Sequence, residues 1–103
     1  MNIVTKAYRY GNTDEATKRA VWNKGKIIPG RPPTEYRKDM CGKTIRYSAH
    51  GHETSYGWEI DHIFPKSRGG KDDLSNLQPL YWRNNRAKSD TYPWHCENGY
   101  CNS

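Results

Sequence analysis

The segment from residue 57 to residue 90 constrains the fold most, because its local pattern changes three times within a short length. Its four pieces are GWEIDHIF (57–64), PKSRGGKDDLSN (65–76), LQPLY (77–81) and WRNNRAKSD (82–90). The first has the apolar and aromatic content of a strand, and the second is dense in turn formers and charge. The third predicts a short strand that Pro79 confines to a sheet edge or an irregular position, and the fourth has helical character. The predicted order is strand, surface loop, strand, helix.

The residues before this segment predict a helix and a further strand. Thr13 is a suitable N-cap for a helix near residues 14–23, whose acidic start and basic end match the helix dipole. IIPGRPP (27–33) cannot continue a helix and is interpreted as a connector. KTIRYS (43–48) predicts a strand that a hairpin loop at 49–57 joins to the next strand, and His50 and His52 in that loop are expected to face water.

The core of such a chain must depend on aromatic residues. Leu, Ile, Val and Phe together number only 12 of 103 residues, whereas there are four Trp and eight Tyr. Each aromatic ring buries about 150–250 Å², so a few of them replace many aliphatic residues. The length suits one domain with a small core.

Charge and cysteine content indicate the environment and the partner. The net charge of +6 favours a polyanion such as nucleic acid. There is no apolar run long enough for a membrane span and no signal-peptide pattern, so we expect no membrane association and a cytoplasmic location. Cys41, Cys96 and Cys101 are an odd number, which fits a reducing compartment and a tail with free thiols better than a disulfide framework. A zinc site made by these cysteines and a His is a less favoured alternative.

Polar residues at the ends of the predicted elements suggest a metal site. Asp61 and His62 are adjacent on the first strand, and Asn85 and Lys88 share one face of the helix. Carboxylate and amide oxygens are hard ligands that suit Mg²⁺, which takes few protein groups. Neighbouring side chains of a regular strand point to opposite faces, so Asp61 and His62 can share a site only where the strand twists or ends.

The combination of EIDHIFPKSRGG, LSNLQPL and NNRAK resembles the HNH endonucleases, a ββα-metal (His-Me finger) nuclease class. The resemblance implies an α+β fold, with a small ββα-metal core and an added N-terminal helix and hairpin. We expect one domain over residues 1–103, with the core motif at 57–90, an N-terminal extension at 1–40 and a C-terminal tail at 91–103.

The resemblance also implies a role for each matching residue. His62 corresponds to the general base that deprotonates the attacking water, and Asn76 to the residue that steadies the loop and orients that histidine. Asp61 and Asn85 correspond to the ligands of Mg²⁺, Mn²⁺ or another divalent cation. The implied substrate is DNA, most simply double-stranded, cut to leave 5′-phosphate and 3′-hydroxyl ends. Asn84 is the alternative to Asn85 as the metal ligand from the helix.

Many members of this class carry two Cys-x-x-Cys pairs that bind a structural Zn²⁺. The corresponding positions here are Lys38, Cys41, Tyr81 and Asn84. We therefore consider a structural Zn²⁺ unlikely and expect aromatic packing around Trp58, Tyr81 and Trp82 to link the segments in its place.

Basic residues near the motif are interpreted as phosphate contacts, although most such charges on proteins are simply solvated. They are Lys66, Arg68, Lys71, Arg83, Arg86 and Lys88. Because no separate recognition domain is obvious at this length, we expect either weak specificity or specificity supplied by a partner protein or a dimer. The alternative function is a basic module that binds nucleic acid without cutting it.

Overall fold

The computed structural model describes residues 14–101 as two helices and two small antiparallel sheets. The helices are α1 (Glu15–Trp22) and α2 (Trp82–Lys88). The strands are β1 (Lys26–Ile27), β2 (Tyr36–Lys38), β3 (Thr44–Arg46), β4 (Trp58–His62) and β5 (Leu77–Tyr81). One sheet has the order β1-β2-β3 and the other contains β4 and β5. The α+β class is confirmed.

Helix α1 begins with a side-chain cap and ends in the core. The carboxylate of Asp14 accepts a hydrogen bond of 3.0 Å from the backbone N–H of Thr17, so Asp14 is the N-cap. Thr13, the predicted cap, lies outside the described residues. The last two helical residues, Val21 and Trp22, are fully buried. The helix therefore contributes its C-terminal turn to the core.

Aromatic rings form much of the core, as the composition predicts. Trp22 and Trp58 pack with ring centroids 5.1 Å apart, and Tyr47 meets Trp22 edge-on at 5.4 Å. Both indole N–H groups find carbonyl partners, at Pro33 for Trp22 and at Tyr47 for Trp58. The two largest buried rings therefore have their N–H groups paired.

Strands β4 and β5 and helix α2 follow one another as the sequence predicts. The strands pair antiparallel with Asp61 opposite Gln78 and His62 opposite Leu77. Pro79, which has no N–H to donate, lies in β5, and in the described part of the chain β5 pairs with β4 alone. Helix α2 starts directly after β5 and packs against both strands. The ends of β4 and α2 are thereby brought together.

The loop between β4 and β5 folds back tightly on its own start, which explains its two glycines. The backbone N–H of Gly70 donates to the carbonyl of Pro65 at 2.8 Å, and a Cβ at residue 70 would lie 1.8 Å from the Phe64 oxygen. Gly69 has a φ of 102°, a left-handed conformation that side chains disfavour. Only glycine fits both positions without rearrangement.

The predicted hairpin between residues 43–48 and 57–64 is wrong. Strand β3 pairs with β2, in a register that places Ile45 opposite Arg37, and β4 pairs with β5. The chain between β3 and β4 instead contains a 3-10 turn at Tyr47–Ala49 and a single parallel bridge between His50 and Trp58. The N-terminal hairpin is formed by β2 and β3. The sequence pattern alone could not show which strand pairs with β3, because β2, β3 and β4 are all short.

The prediction of free thiols is also wrong for two of the three cysteines. Cys41 and Cys96 form a disulfide across 55 residues, and Cys101 is free and exposed. The C-terminal tail returns to the turn after β2 and brings the two Cα atoms within 5.4 Å. Such bonds are typical of oxidising environments, so the cysteine count no longer supports a cytoplasmic location. Within residues 14–101, no helix has the length and apolar character needed to cross a membrane.

A buried carboxylate joins the same segments beside the disulfide. Asp39 is 1% exposed, and its Oδ1 accepts the backbone N–H groups of Cys41 and Lys43, each at 2.9 Å. Its Oδ2 accepts the N–H of Tyr81 and the amide Nδ2 of Asn84, each at 3.0 Å. Together with Cys41–Cys96, this network links the segments that a structural Zn²⁺ joins in many members of the class and that we expected aromatic packing to link here. Trp58 and Tyr81 belong to the same buried cluster and Trp82 packs against it, so the expected aromatic packing is present beside the network.

His50 is half-buried rather than directed into water. Its ring packs on Trp58 with centroids 4.6 Å apart. Burial, with a smaller contribution from the charge of Lys18, lowers the pKa of His50 from 6.5 to about 4. Between these two values the unfolded chain binds a proton that the folded protein does not, so acidification destabilises the fold.

We therefore expect His50→Phe to reduce the loss of stability between about pH 6.5 and about pH 4, because phenylalanine keeps a ring against Trp58 but cannot be protonated. The measurement is the free energy of unfolding in urea at several pH values in this window. His52→Gln, at a neighbouring exposed histidine, is the control. An unchanged pH dependence in His50→Phe would contradict the assignment.

Candidate active site

The candidate active site is a cleft of about 330 Å³ where the end of β4, the following loop and the end of α2 meet. We call it the site cleft. It is lined by Ile60, Asp61, His62, Pro65, Lys66, Ser67, Asn85, Ser89 and Asp90. Asp61 and His62 both reach it because His62 is the last residue of β4, where the alternation of a regular strand ends. The structure thus brings Asp61, His62 and Asn85 to one place.

Asp61 is buried and held by two partners. Its Oδ1 lies 3.2 Å from the ammonium of Lys88, and its Oδ2 accepts a 2.9 Å hydrogen bond from the Gln78 amide. Burial raises the pKa of Asp61, while the bond from Gln78 and the charge of Lys88 act in the opposite direction. Lys88 also donates to the His62 carbonyl at 2.9 Å. Lys88 therefore ties helix α2 to both residues at the end of β4.

His62 is in contact with an acid from the loop. Its Nε2 lies 2.7 Å from Oδ1 of Asp72, and the side chains are 17% and 13% exposed. The ammonium of Lys66 lies 3.1 Å from Oδ2 of the same carboxylate. The carboxylate of Asp72 thus lies between the imidazole of His62 and the ammonium of Lys66, two residues that line the site cleft.

Asn76 stabilises the loop with its side-chain amide. Its Oδ1 accepts the N–H of Phe64 at 2.8 Å, and its Nδ2 donates to the carbonyls of Phe64 and Lys71 at 3.1 and 2.9 Å. The two bonds to Phe64 connect the ends of the loop across 12 positions, and the bond to Lys71 spans five positions within the loop. Asn76 lies outside the site cleft, and its contacts fit the loop-steadying part of its predicted role.

Asn85 and Asn84 have different environments. The Nδ2 of Asn85 donates to Glu59 on β4 at 2.7 Å, and Glu59 also binds Arg86 at 2.9 Å. The bond to Glu59 uses the amide nitrogen of Asn85 and not its amide oxygen. Asn84 is fully buried and bonds to Asp39 and to the backbone of Tyr100. Asn85 lines the site cleft, and Asn84 belongs to the interior.

Five of the six predicted phosphate contacts are on the surface. Lys66 and Arg68 belong to a 3-10 turn beside the site cleft, and Lys71 is exposed in the same loop. Arg83 and Arg86 lie over the Trp82 ring, at 5.0 and 5.5 Å from its centroid. Lys88 is the exception, because its side chain is only 3% exposed and pairs with Asp61. We therefore do not retain Lys88 as a phosphate contact.

The polar partners of Asn85, His62 and Asp61 were not identified from the sequence; they are Glu59, Asp72 and Gln78, respectively. Strand alternation offers a signal for Glu59, which shares a strand face with Asp61, and antiparallel register places Gln78 opposite Asp61. Asp72 has no comparable signal, because its position depends on the conformation of an irregular loop.

Comparison with known proteins identifies the family. The family model described as HNH endonuclease matches residues 39–91, just over half of the chain. This chain belongs to the HNH endonuclease family. Searches of curated proteins and of solved structures gave no match. The family match begins at Asp39, so it contains the buried carboxylate network and β3 as well as the motif at 57–90.

The family commonly uses a divalent metal, so the donor set matters. Among residues 14–101, there is no group of three or more His, Cys, Asp and Glu side chains suited to holding an ion. The site cleft of this HNH protein offers one buried carboxylate and one amide instead.

The two neighbouring asparagines give a direct test of this geometry. We expect Asn84→Ala to lower the free energy of unfolding by about 3 kcal/mol, because it removes three hydrogen bonds of a fully buried amide, one to Asp39 and two to the backbone of Tyr100. Asn85→Ala should cost about 1 kcal/mol, because it removes one bond at the edge of the cleft. Chemical denaturation of both variants measures the difference. Equal losses would contradict the assignment of interior and cleft positions.

Proposed function

We propose that this HNH protein is a divalent-metal-dependent endonuclease that hydrolyses phosphodiester bonds in double-stranded DNA, with a ββα-metal core formed by β4, β5 and α2. The observation that carries the proposal is the convergence of Asp61, His62 and Asn85 on one cleft in a member of this family. The net charge of +6 and the basic residues beside the cleft fit a polyanionic substrate.

The donor set fits Mg²⁺ or Mn²⁺. Carboxylate and amide oxygens are hard ligands, and Mg²⁺ usually takes one or two protein groups and fills its other positions with water and substrate phosphate. Asp61 and Asn85 would hold the ion. Lys88 and Gln78 each occupy one acceptor position on Asp61, and each carboxylate oxygen has a second lone pair. When bound, the ion would supply positive charge to the scissile phosphate and to the leaving oxygen.

The other roles belong to side chains of the chain itself. The imidazole of His62 accepts a proton from the attacking water, a role that a neutral imidazole can fill. Five basic side chains contact phosphates and set the position of the duplex without reading its sequence. They are Lys66, Arg68, Lys71, Arg83 and Arg86. Asn76 keeps the loop between β4 and β5 in place around the cleft.

Replacement of His62 tests the chemistry. We expect His62→Ala to slow nicking of supercoiled plasmid in Mg²⁺ by roughly 100- to 10,000-fold, because general-base catalysis contributes that much. Binding of the plasmid should be retained in a gel-shift measurement. His52→Ala, at an exposed histidine, is the matched control and should cut at the wild-type rate.

The same experiment distinguishes the alternative. A wild-type protein that shifts DNA but does not nick it, with Mg²⁺ or Mn²⁺ and with EDTA alike, would be a non-catalytic binding module. Cleavage by His62→Ala at the wild-type rate would remove His62 from the mechanism and leave the nuclease activity to another group.

Removal of the Asp61 charge tests the metal ligands without any turnover. We expect Asp61→Asn to weaken Mn²⁺ binding by roughly tenfold or more, measured by the paramagnetic signal of the free ion in the absence of DNA. Asp90→Asn is the matched control, because Asp90 also lines the cleft and the same charge is removed. Equal affinities for wild type and Asp61→Asn would exclude Asp61 as a ligand, and loss in Asp90→Asn alone would move the ion to the other rim.

A further inference from the structure

The contact between His62 and Asp72 restricts the chemistry of the imidazole. A carboxylate only accepts hydrogen bonds, so the 2.7 Å contact at Nε2 requires the hydrogen of a neutral ring to be on Nε2. The lone pair of the neutral ring is then on Nδ1. Asp72 thus determines which nitrogen can act as a base.

The position of Asp72 is itself fixed from two sides. The Nδ2 of Asn76 binds the carbonyl of Lys71, the residue directly before Asp72. The ammonium of Lys66 lies 3.1 and 3.2 Å from the two carboxylate oxygens of Asp72. Asn76 also binds the backbone of Phe64, two residues after His62. The loop amide therefore sets the backbone on both sides of the histidine–carboxylate contact.

The neighbouring acid does not share these contacts. Asp73 is exposed, and its side chain forms no capping bond at the 3-10 turn Leu74–Asn76. Two adjacent acids in one loop thus differ in their contact with the imidazole, because Asp72 binds His62 and Asp73 faces solvent.

We propose that Asp72 is a positioning residue for the nuclease reaction, which holds His62 in the tautomer with hydrogen on Nε2 and presents Nδ1 as the base. The inference rests on the proposed function of His62. It also explains how Asn76 can orient His62 without touching it. The Asn76 amide binds the Lys71 carbonyl, which positions the next residue, Asp72, whose carboxylate contacts the imidazole. Asp72 acts through His62 and does not contact the substrate.

The tautomer is measured directly in the wild-type protein. Imidazole ¹⁵N chemical shifts, recorded where the ring is neutral and assigned by comparison with His62→Ala, should show hydrogen on Nε2 of His62. In Asp72→Asn the amide can donate or accept, so we expect both tautomers. Asp73→Asn removes the same charge from the same loop and should leave the wild-type tautomer.

Kinetics supply the second readout. We expect Asp72→Asn to lower kcat for DNA cleavage by roughly 10- to 100-fold, with KM close to that of Asp73→Asn. A merely structural role would change the stability or the KM of the variant and leave the tautomer of its folded fraction as in wild type.

The outcomes separate this inference from the proposed function. A wild-type ring with hydrogen on Nδ1, or equal kcat values for Asp72→Asn and Asp73→Asn in an active enzyme that depends on His62, would overturn the role of Asp72 alone. An inactive wild-type protein would overturn the proposed function, while the ¹⁵N spectrum would still report whether Asp72 sets the tautomer.

Discussion

The ion pair between Asp61 and Lys88 is the contact on which the site depends. It joins the end of β4 to the last turn of α2, and the second bond of Lys88, to the His62 carbonyl, fixes the next residue as well. Removing either charge would leave its partner buried and uncompensated, which typically costs several kcal/mol. Buried ion pairs often add little net stability, so we attribute to this one a role in geometry: it sets how far the helix lies from the strand.

Asp61, His62 and Asn85 each have a polar partner that restricts their orientation. Gln78 binds Asp61, Glu59 binds Asn85 and Asp72 binds His62. These partners lie on a strand or on the braced loop, and such supporting contacts are what keep a reactive arrangement in place between turnovers. A small core can support this site because the alignment comes from local hydrogen bonds as well as from packing.

The sequence predicted the parts of the fold that depend on short-range pattern. The helix near 14–23, the strand containing Asp61, the edge position of Pro79 and helix α2 follow from capping residues, β-propensity and proline chemistry. The partner of β3 and the Cys41–Cys96 disulfide depend on contacts between residues far apart in sequence, and no local pattern encodes them. The same reason explains why Lys88 was wrongly predicted to contact phosphate. Its spacing from Asn85 places both on one face of a helix, but its burial depends on where α2 packs. The assignments of Asp61, His62, Asn76 and Asn85 to catalysis and metal binding came from resemblance, and the structure adds their arrangement around the site cleft and its loop.

The Cys41–Cys96 bridge encloses all these residues in one covalent ring. The exposed loop at residues 66–73 lies inside that ring and is the kind of surface segment that proteases cut. A single nick there would open the peptide chain without releasing either fragment, because the bridge would keep β4 and β5 on one molecule. The oxidised protein would therefore keep both parts of the site on one molecule after scission in this loop, whereas reduction would remove the covalent link between them.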